Sequence, residues 1–311
     1  MGETRKARHF IDVPDLSIKE IGKVFASAER LKKTPRSRQL KMLPGTQVAL
    51  IFEKPSTRTR VSFEAGISQL GGNAIYLDPK TTQLGRGETI GDTARVISRY
   101  CDAAVLRVFN HDLLGDFSRA AGIPTINALS DFSHPCQSLA DVFTMYEAKG
   151  KLKGLKVAFL GDGGNNTCNS LMQLCAMLGI HFFVACPHGF RPDLKAWHWS
   201  EGEAKKNKSR LVVTESIEKA LEDADVVYTD TWVSMGLEKE SSARRHLLAP
   251  YQLNERSLAL AKKDAIAMHC LPAHRGEEIT SEVLDGRQSV AWQQAENKLH
   301  VQKALLLYLL K

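Results

Sequence analysis

The chain lacks the spacings that mark a metal or disulfide protein. Its six cysteines, Cys101, Cys136, Cys168, Cys175, Cys186 and Cys270, include no C-x-x-C pair and follow no regular interval. That suits neither a disulfide framework nor a zinc site, so they read as reduced thiols. His134, Cys136, His269, Cys270 and His274 supply no pair of histidines at helical i, i+4 spacing, and no metal is expected from them. Long apolar runs are missing as well. The stretches Val48-Ala49-Leu50-Ile51-Phe52 and Leu305 to Leu310 fall far short of the ~20 residues that span a bilayer, so no membrane partner is expected. The charged start, Met1 through Arg8, leads into no apolar signal core, which makes the cytoplasm the expected location. Two basic clusters, Arg30-Lys33-Arg36-Arg38-Lys41 and Lys205-Lys206-Lys208-Arg210, are not interleaved with aromatic residues. Without such stacking platforms they read as solvated faces, and no nucleic acid is expected. No short-period repeat or low-complexity tract appears.

What is present points to a folded α/β protein. A length of 311 residues suits two domains of about 150 residues each. A formal charge of +7 attracts small anions, a phosphorylated substrate among them. Ser17-Ile18-Lys19-Glu20 is a capping box opening an amphipathic helix towards Lys33. Thr46 to Phe52 is a short apolar run between Pro44-Gly45 and Lys54-Pro55, as a buried parallel strand should be. A helix from about Arg58 to Leu70 stops at Gly71-Gly72. Strands at Ala103 to Phe109 and Thr125 to Ala128 alternate with helices at Thr89 to Tyr100 and His111 to Ala121. The run from Pro135 to Lys149 is a helix with proline at its first position, and Gly150 to Gly154 is a polar break. Beyond it strands are expected at Lys156 to Leu160, His181 to Ala185, Ala224 to Thr229 and Ala265 to His269, with a last helix from about Ala295. The expected fold is two doubly wound parallel-sheet domains joined by helices. Residues 1–149 form the first, with the last helix, about 295–311, packing back on it; residues 150–294 form the second.

Four segments carry chemistry. Lys54-Pro55-Ser56-Thr57-Arg58-Thr59-Arg60 sits where a buried strand hands over to a helix. The first N–H groups there lack intrahelical partners and the helix dipole favours an anion, so three hydroxyls and two guanidiniums make a phosphate cradle. The plainer reading is a Ser/Thr cap with arginines on a wet face; the strand-to-helix placement favours the cradle. Gly161-Asp162-Gly163-Gly164-Asn165-Asn166 also follows a strand and precedes a helix, and a dinucleotide turn or a simple tight turn is open for it. It lacks the third glycine of G-x-G-x-x-G, and no acidic residue ends a strand about twenty positions on. His134-Pro135-Cys136-Gln137 and His269-Cys270-Leu271-Pro272 both lie at element edges, where parallel sheets present ligands, although a lone histidine or a lone buried cysteine is more often a satisfied structural residue.

Ser56-Thr57-Arg58-Thr59-Arg60, His134-Pro135-Cys136-Gln137, Asp230-Thr231-Trp232-Val233-Ser234-Met235-Gly236 and His269-Cys270-Leu271-Pro272 together resemble the aspartate/ornithine carbamoyltransferase family nearly end to end, and within it the members that use ornithine. The resemblance implies transfer of a carbamoyl group from carbamoyl phosphate to ornithine, giving citrulline and phosphate, in arginine metabolism and amino-acid biosynthesis. It implies no metal and no organic cofactor. It assigns Ser56, Thr57, Arg58, Thr59 and Arg107 to the phosphate, and His134 and Thr59 to the carbamoyl oxygen. Gln137 and the Leu271 carbonyl would hold the carbamoyl nitrogen. Gln83 would be lent by a neighbouring chain in a homotrimer, or an assembly of trimers, with shared active sites. For ornithine it implies Asn166, Asp230 at the α-ammonium, Ser234 at the α-carboxylate with the Met235 amide, and Cys270 beside the side-chain amine. Arg107, His134, Cys270 and Thr59 are the implied catalytic residues, and the Ser234-Met235-Gly236 loop a moving lid. One departure stands out: the family usually has arginine after Glu-Asn near the C-terminus, whereas this chain reads Glu296-Asn297-Lys298, keeping the charge but losing the planar fork. A nicotinamide oxidoreductase and a basic RNA-binding protein are the rival readings.

Overall fold

The computed structural model describes residues 7–83, 87–233 and 241–311. Its chain divides into two compact units, Met1–Cys136 with Lys298–Lys311, and Gln137–Asn297. The division falls in the first turn of the helix Pro135–Lys149, whereas the sequence reading put it in the polar turn after that helix. No described helix is long and apolar enough to cross a membrane, and all six cysteines are free thiols.

The first unit is built on four strands, β1 (Gln47–Phe52), β2 (Asn73–Leu77), β3 (Ala103–Arg107) and β4 (Thr125–Leu129). They lie in the order β2-β1-β3-β4, and every pair is parallel. β1 and β3 are central and buried along almost their whole length. Their unbroken runs of Val, Leu, Ile and Ala follow from that, because a parallel strand covered by helices has no wet face. Ala49, Ile51, Leu106, Leu114 and Phe117 belong to one core cluster. β2 was not legible beforehand: it is an edge strand whose residues are exposed or half-buried, so its sequence carries no clean apolar pattern.

Local signals set the helices around this sheet. Ser17 caps the helix Ile18–Lys33, and both bonds of its capping box with Glu20 are made, an arrangement that stabilises a helix by about 1 kcal/mol. The helix Thr57–Leu70 buries Phe63, Ile67 and Leu70 on one face and ends at Gly71 in the left-handed conformation. A Cβ at Gly71 would stand only 2.0 Å from the Leu40 carbonyl oxygen, so this stop requires glycine.

The second unit holds β5 (Lys156–Leu160), β6 (His181–Ala185), β7 (Leu211–Thr214), β8 (Val226–Thr229) and β9 (Ile266–His269). Their order is β7-β6-β5-β8-β9, again parallel throughout. β7 is the half-buried edge strand of this sheet, and it too escaped the sequence reading. The helix Asn166–Leu178 is buried from Thr167 through Met177, which accounts for its apolar composition on every side. Ala158, Leu160, Val227, Leu253 and Ile279 share the core cluster of the opposite face. The last helix starts at Ala291, earlier than expected, so Lys298 lies inside it and not at its first turn.

Candidate active site

In the first unit the strand order reverses between β1 and β3, with β2 to one side and β4 to the other. Open parallel sheets present ligands outside the carboxyl ends of the strands at such a point. β1 runs into Glu53-Lys54-Pro55 and then the helix Thr57–Leu70, while β3 ends on Arg107. The Glu53 amide donates to the Arg107 carbonyl at 2.8 Å, which keeps the two strand ends side by side. Ser56 caps the helix, its side chain accepting from the Thr59 amide at 3.3 Å. Thr57 and Arg58 are exposed in the first turn, a turn with no acidic residue, so the dipole and side chains there favour an anion.

Behind this exposed rim lies a buried layer of cations. Arg107 is 6% exposed, Lys298 6% and Lys54 7%. The Lys298 ammonium donates to the buried Thr59 hydroxyl oxygen at 3.0 Å. That bond occupies a lone pair of Thr59 Oγ1 and leaves the O–H to donate elsewhere. Lys54 lies 4.5 Å from the Phe109 ring centre, and burial together with the Arg107 charge holds its pKa below the ordinary lysine value. Burial, and then the charges of Lys298 and Arg107, push the His134 imidazole well below its usual range. His134 is therefore neutral at physiological pH, with an N–H able to donate. Cys136 is different. Its thiol donates to the Asn127 carbonyl at 3.2 Å and burial raises it to about 12, so this cysteine is structural.

The second unit reverses between β5 and β8. β5 leads into the turn Gly161 to Asn165, and Asn165 caps the helix Asn166–Leu178 by accepting from the Cys168 amide at 2.7 Å. Gly163 has to be glycine, since a Cβ there would stand 2.7 Å from the Phe190 carbonyl oxygen and 2.8 Å from Val184. β8 is followed by Asp230, β9 by Cys270. The Asp230 carboxylate accepts from the Thr231 amide at 2.8 Å and from the Cys270 thiol at 3.0 Å on one oxygen. Its other oxygen accepts from Asn165 at 3.4 Å. Three strand ends thus converge on one carboxylate. Asn166 is the partly buried first residue of the adjoining helix.

The buried His269 holds the next turn. Its Nδ1 accepts from the Leu271 amide at 2.8 Å and its Nε2 donates to Glu278 at 3.0 Å. Leu271 stands at φ +59°, a left-handed conformation that costs a leucine on the order of 1 kcal/mol and needs such support. Ligand atoms of Asp230, His269 and Cys270 lie within 4.8 Å of one another. With Nδ1 accepting and Nε2 protonated, however, this imidazole has no lone pair left for a metal ion. Gln137 donates through Nε2 to Asp141 at 2.7 Å, so its oxygen is the end suited to a substrate N–H. Asp141 also accepts from Tyr228 and Gln294.

Residues 8–147 match the family described as aspartate/ornithine carbamoyltransferase, carbamoyl-P binding domain, and residues 153–309 match its Asp/Orn binding domain. The chain is 49% identical over 306 residues to an ornithine carbamoyltransferase of Anoxybacillus flavithermus, covering 98% of this chain and 97% of the relative. It is 48% identical over 306 residues to that of Pyrococcus horikoshii, covering 98% and 96%. The solved structure of ornithine carbamoyltransferase from Pyrococcus furiosus superposes with a TM-score of 0.91 at 47% identity, covering 96% of each chain. This chain belongs to the aspartate/ornithine carbamoyltransferase family.

Of the residues matched to the carbamoyltransferase pattern, Ser56, Thr57, Arg58, Thr59, Arg107, His134 and Lys298 lie in the first unit, and Gln137, Asn166, Asp230, Cys270 and Leu271 in the second. Ser234 and Met235, with the lid expected around them, lie outside the described residues. Gln83 is exposed on the stretch after Pro79–Thr81. One reading is corrected: Arg60 is not part of a phosphate cradle. Its Nε pairs with Glu64 at 2.9 Å and its guanidinium lies 3.5 Å over the Tyr76 ring, because helical spacing turns it away from Arg58 towards its own i+4 neighbour. Lys54 and His269 stood in segments singled out from the sequence, but the burial of Lys54 and the pairing of His269 with Glu278 were not read there. Their signals were present, a lysine directly before Pro-Ser-Thr-Arg and a histidine directly before Cys-Leu-Pro, but their burial was not.

Proposed function

We infer that this chain transfers the carbamoyl group of carbamoyl phosphate to the side-chain amine of ornithine, yielding citrulline and phosphate. The observation that carries the reading is the opposite charge at the two strand reversals, together with membership of the family. Buried cations behind an acid-free helix start suit a phosphorylated substrate. A carboxylate at the meeting of three strand ends suits an ammonium group.

In the reaction so read, Ser56, Thr57, Arg58 and Thr59 with Arg107 hold the phosphate. The neutral ornithine amine attacks the carbamoyl carbon, a C–N bond forms, the bond to the phosphate oxygen breaks, and the amine proton leaves with the phosphate. Negative charge grows on the carbamoyl oxygen during attack. His134 and the Thr59 hydroxyl donate to it, and removing one prearranged donor of this kind typically costs on the order of 3 kcal/mol. Lys298 acts from behind Thr59: by donating to its oxygen it makes the O–H a better donor. Gln137 and the Leu271 carbonyl accept from the carbamoyl nitrogen. Asp230 receives the α-ammonium of ornithine beside Asn166, with Ser234 and the Met235 amide at its α-carboxylate, and Cys270 lies by the reacting amine. Holding both substrates in one geometry supplies much of the remaining acceleration.

Aspartate as acceptor is disfavoured by repulsion from Asp230. The deciding experiment is phosphate release from carbamoyl phosphate with ornithine, lysine, putrescine, N-acetylornithine or aspartate as acceptor. Ornithine should give the highest kcat/KM; a better rate with any other overturns the assignment. The reading includes a cytoplasmic homotrimer, or an assembly of trimers, in arginine biosynthesis, with Gln83 lent to a neighbour's pocket. Mixed inactive Gln83→Ala and Arg58→Ala chains should then recover activity in hybrid trimers, and none recovered after verified subunit exchange counts against sharing.

A further inference from the structure

Among residues that no motif singles out, Arg244 ties together the two strand ends that flank the reversal in the second unit. It belongs to the helix Ser241–Leu248. Its Nε donates to the Trp232 carbonyl at 2.8 Å, its terminal amino group donates to the Asp162 carboxylate, and its guanidinium lies 4.8 Å from the Phe190 ring centre. Asp162 stands in the turn after β5 and accepts on its other oxygen from the Gly164 amide at 3.0 Å. Trp232 stands two residues after Asp230, in the segment after β8, and is 3% exposed. Its indole lies directly on Gly161, where a Cβ would come within 3.0 Å of Nε1. Through the chain from Asp162 to Asn165, the Asn165–Asp230 hydrogen bond and the chain from Asp230 to Trp232, Arg244 closes a circuit that includes the Asp230 carboxylate.

The ion pair inside this circuit is buried, with the Arg244 side chain 13% exposed and that of Asp162 7%. Taking two such charges out of water costs about as much as their attraction returns, and a well-packed apolar pair would serve stability as well or better. What an apolar pair cannot do is fix direction. A guanidinium presents donors at set angles, and here two of them point to two different segments, one on each side of the reversal. We propose that Arg244 is a positioning residue for the amine substrate: by clamping the Trp232 carbonyl to Asp162 it sets the orientation of Asp230. This rests on the reading of Asp230 as the residue that meets the ornithine α-ammonium. Arg244 touches neither substrate in this scheme. All its named partners lie in the second unit, so its removal acts on ornithine and leaves carbamoyl phosphate binding alone.

The test is steady-state kinetics of Arg244→Met and Arg244→Lys, with each substrate varied separately. Arg244→Met should raise the ornithine KM at least about tenfold while the carbamoyl phosphate KM stays within about twofold. Arg244→Lys keeps the charge but reaches only one acceptor well, and should raise the ornithine KM by roughly threefold or more. It is also the variant that decides if Arg244→Met does not fold. In the coupled pair, Arg244→Met with Asp162→Asn should be no worse for ornithine than Arg244→Met alone. An unchanged ornithine KM in a soluble Arg244 variant, or two KM values rising together, overturns the assignment. If the wild type itself shows no ornithine-dependent phosphate release, the reading of Asp230 fails first, and the inference with it.

Discussion

The two units share a construction and differ in charge. Each is a parallel sheet whose strand order reverses once, each reversal lies between short buried strands, and each opens a helix after the first strand of its sheet. At the reversal of the first unit stand Lys54, Arg107 and Lys298, all buried, and an exposed Arg58. At that of the second stands Asp230, accepting from three donors, with Asp162 buried beside it. Topology therefore fixes where a ligand can bind, and a handful of side chains fix its charge. The helix starts make the same point. Ser56 and Asn165 both cap their helices through a side-chain oxygen, yet only the first is flanked by hydroxyls and guanidiniums suited to phosphate.

The contrast can be broken from either side. The largest effect is expected from Asp230→Asn, which removes the carboxylate that meets the ornithine α-ammonium in that scheme. It should lower kcat/KM for ornithine by a hundredfold or more, about 3 kcal/mol, with binding of carbamoyl phosphate by equilibrium dialysis unchanged. Equal loss for both substrates would mean that the two reversals do not divide the substrates between them.

Arg58→Ala is the mirror experiment in the first unit. Arg58 is exposed at a helix start, so the fold should persist while kcat/KM falls by more than about tenfold, roughly 1.4 kcal/mol. A variant retaining more than a tenth of wild-type activity removes Arg58 from the phosphate cradle. Lys298→Met sharpens the same side, since methionine keeps most of the buried stem and drops the ammonium that reaches Thr59. A loss of at least about tenfold with little change in Tm is expected, and Lys298→Arg should stay active. Kinetics like those of wild type would make Lys298 a structural cation.

The smallest effect on activity concerns Lys303, a buried cation of the first unit outside the proposed site, where substitution touches stability alone. Its ammonium donates to Gln39 and Gln69, each at 2.8 Å, and burial lowers its pKa to about 8. Below that pH both folded and unfolded chains carry the proton and the full cost of burying the charge is present. Between about 8 and the ordinary lysine pKa near 10.4 the unfolded chain binds more protons, so stability rises with pH. Relative to Lys303→Met, the wild type should gain up to about 3 kcal/mol across that window in denaturant titrations. A flat difference would mean that the ammonium stays charged in the fold.

Much of this was legible in the residues. The helix Pro135–Lys149 and the strands β5 and β6 begin and end where the pattern put them, because apolar runs bounded by Gly and Pro leave little choice of period. The edge strands β2 and β7 were not legible, since half-exposed residues carry no face-specific pattern. Ser56 to Thr59 and Asp230 could be found by motif. Arg244 and Glu278 could not, because a charged residue reads as solvated until packing shows what surrounds it.

The sequence by itself determined the α/β alternation, the central strands, the helix caps and the residue types at the strand ends, all of which depend on neighbours within a few positions. Tertiary structure alone decided strand order, and with it which strand ends lie side by side. It also decided that Lys298 is buried against Thr59, over two hundred positions away, that Arg60 turns to Glu64 and Tyr76, and that Arg244 bridges Trp232 and Asp162. Those outcomes turn on desolvation and on contacts between distant segments, and neither exists until the chain has folded.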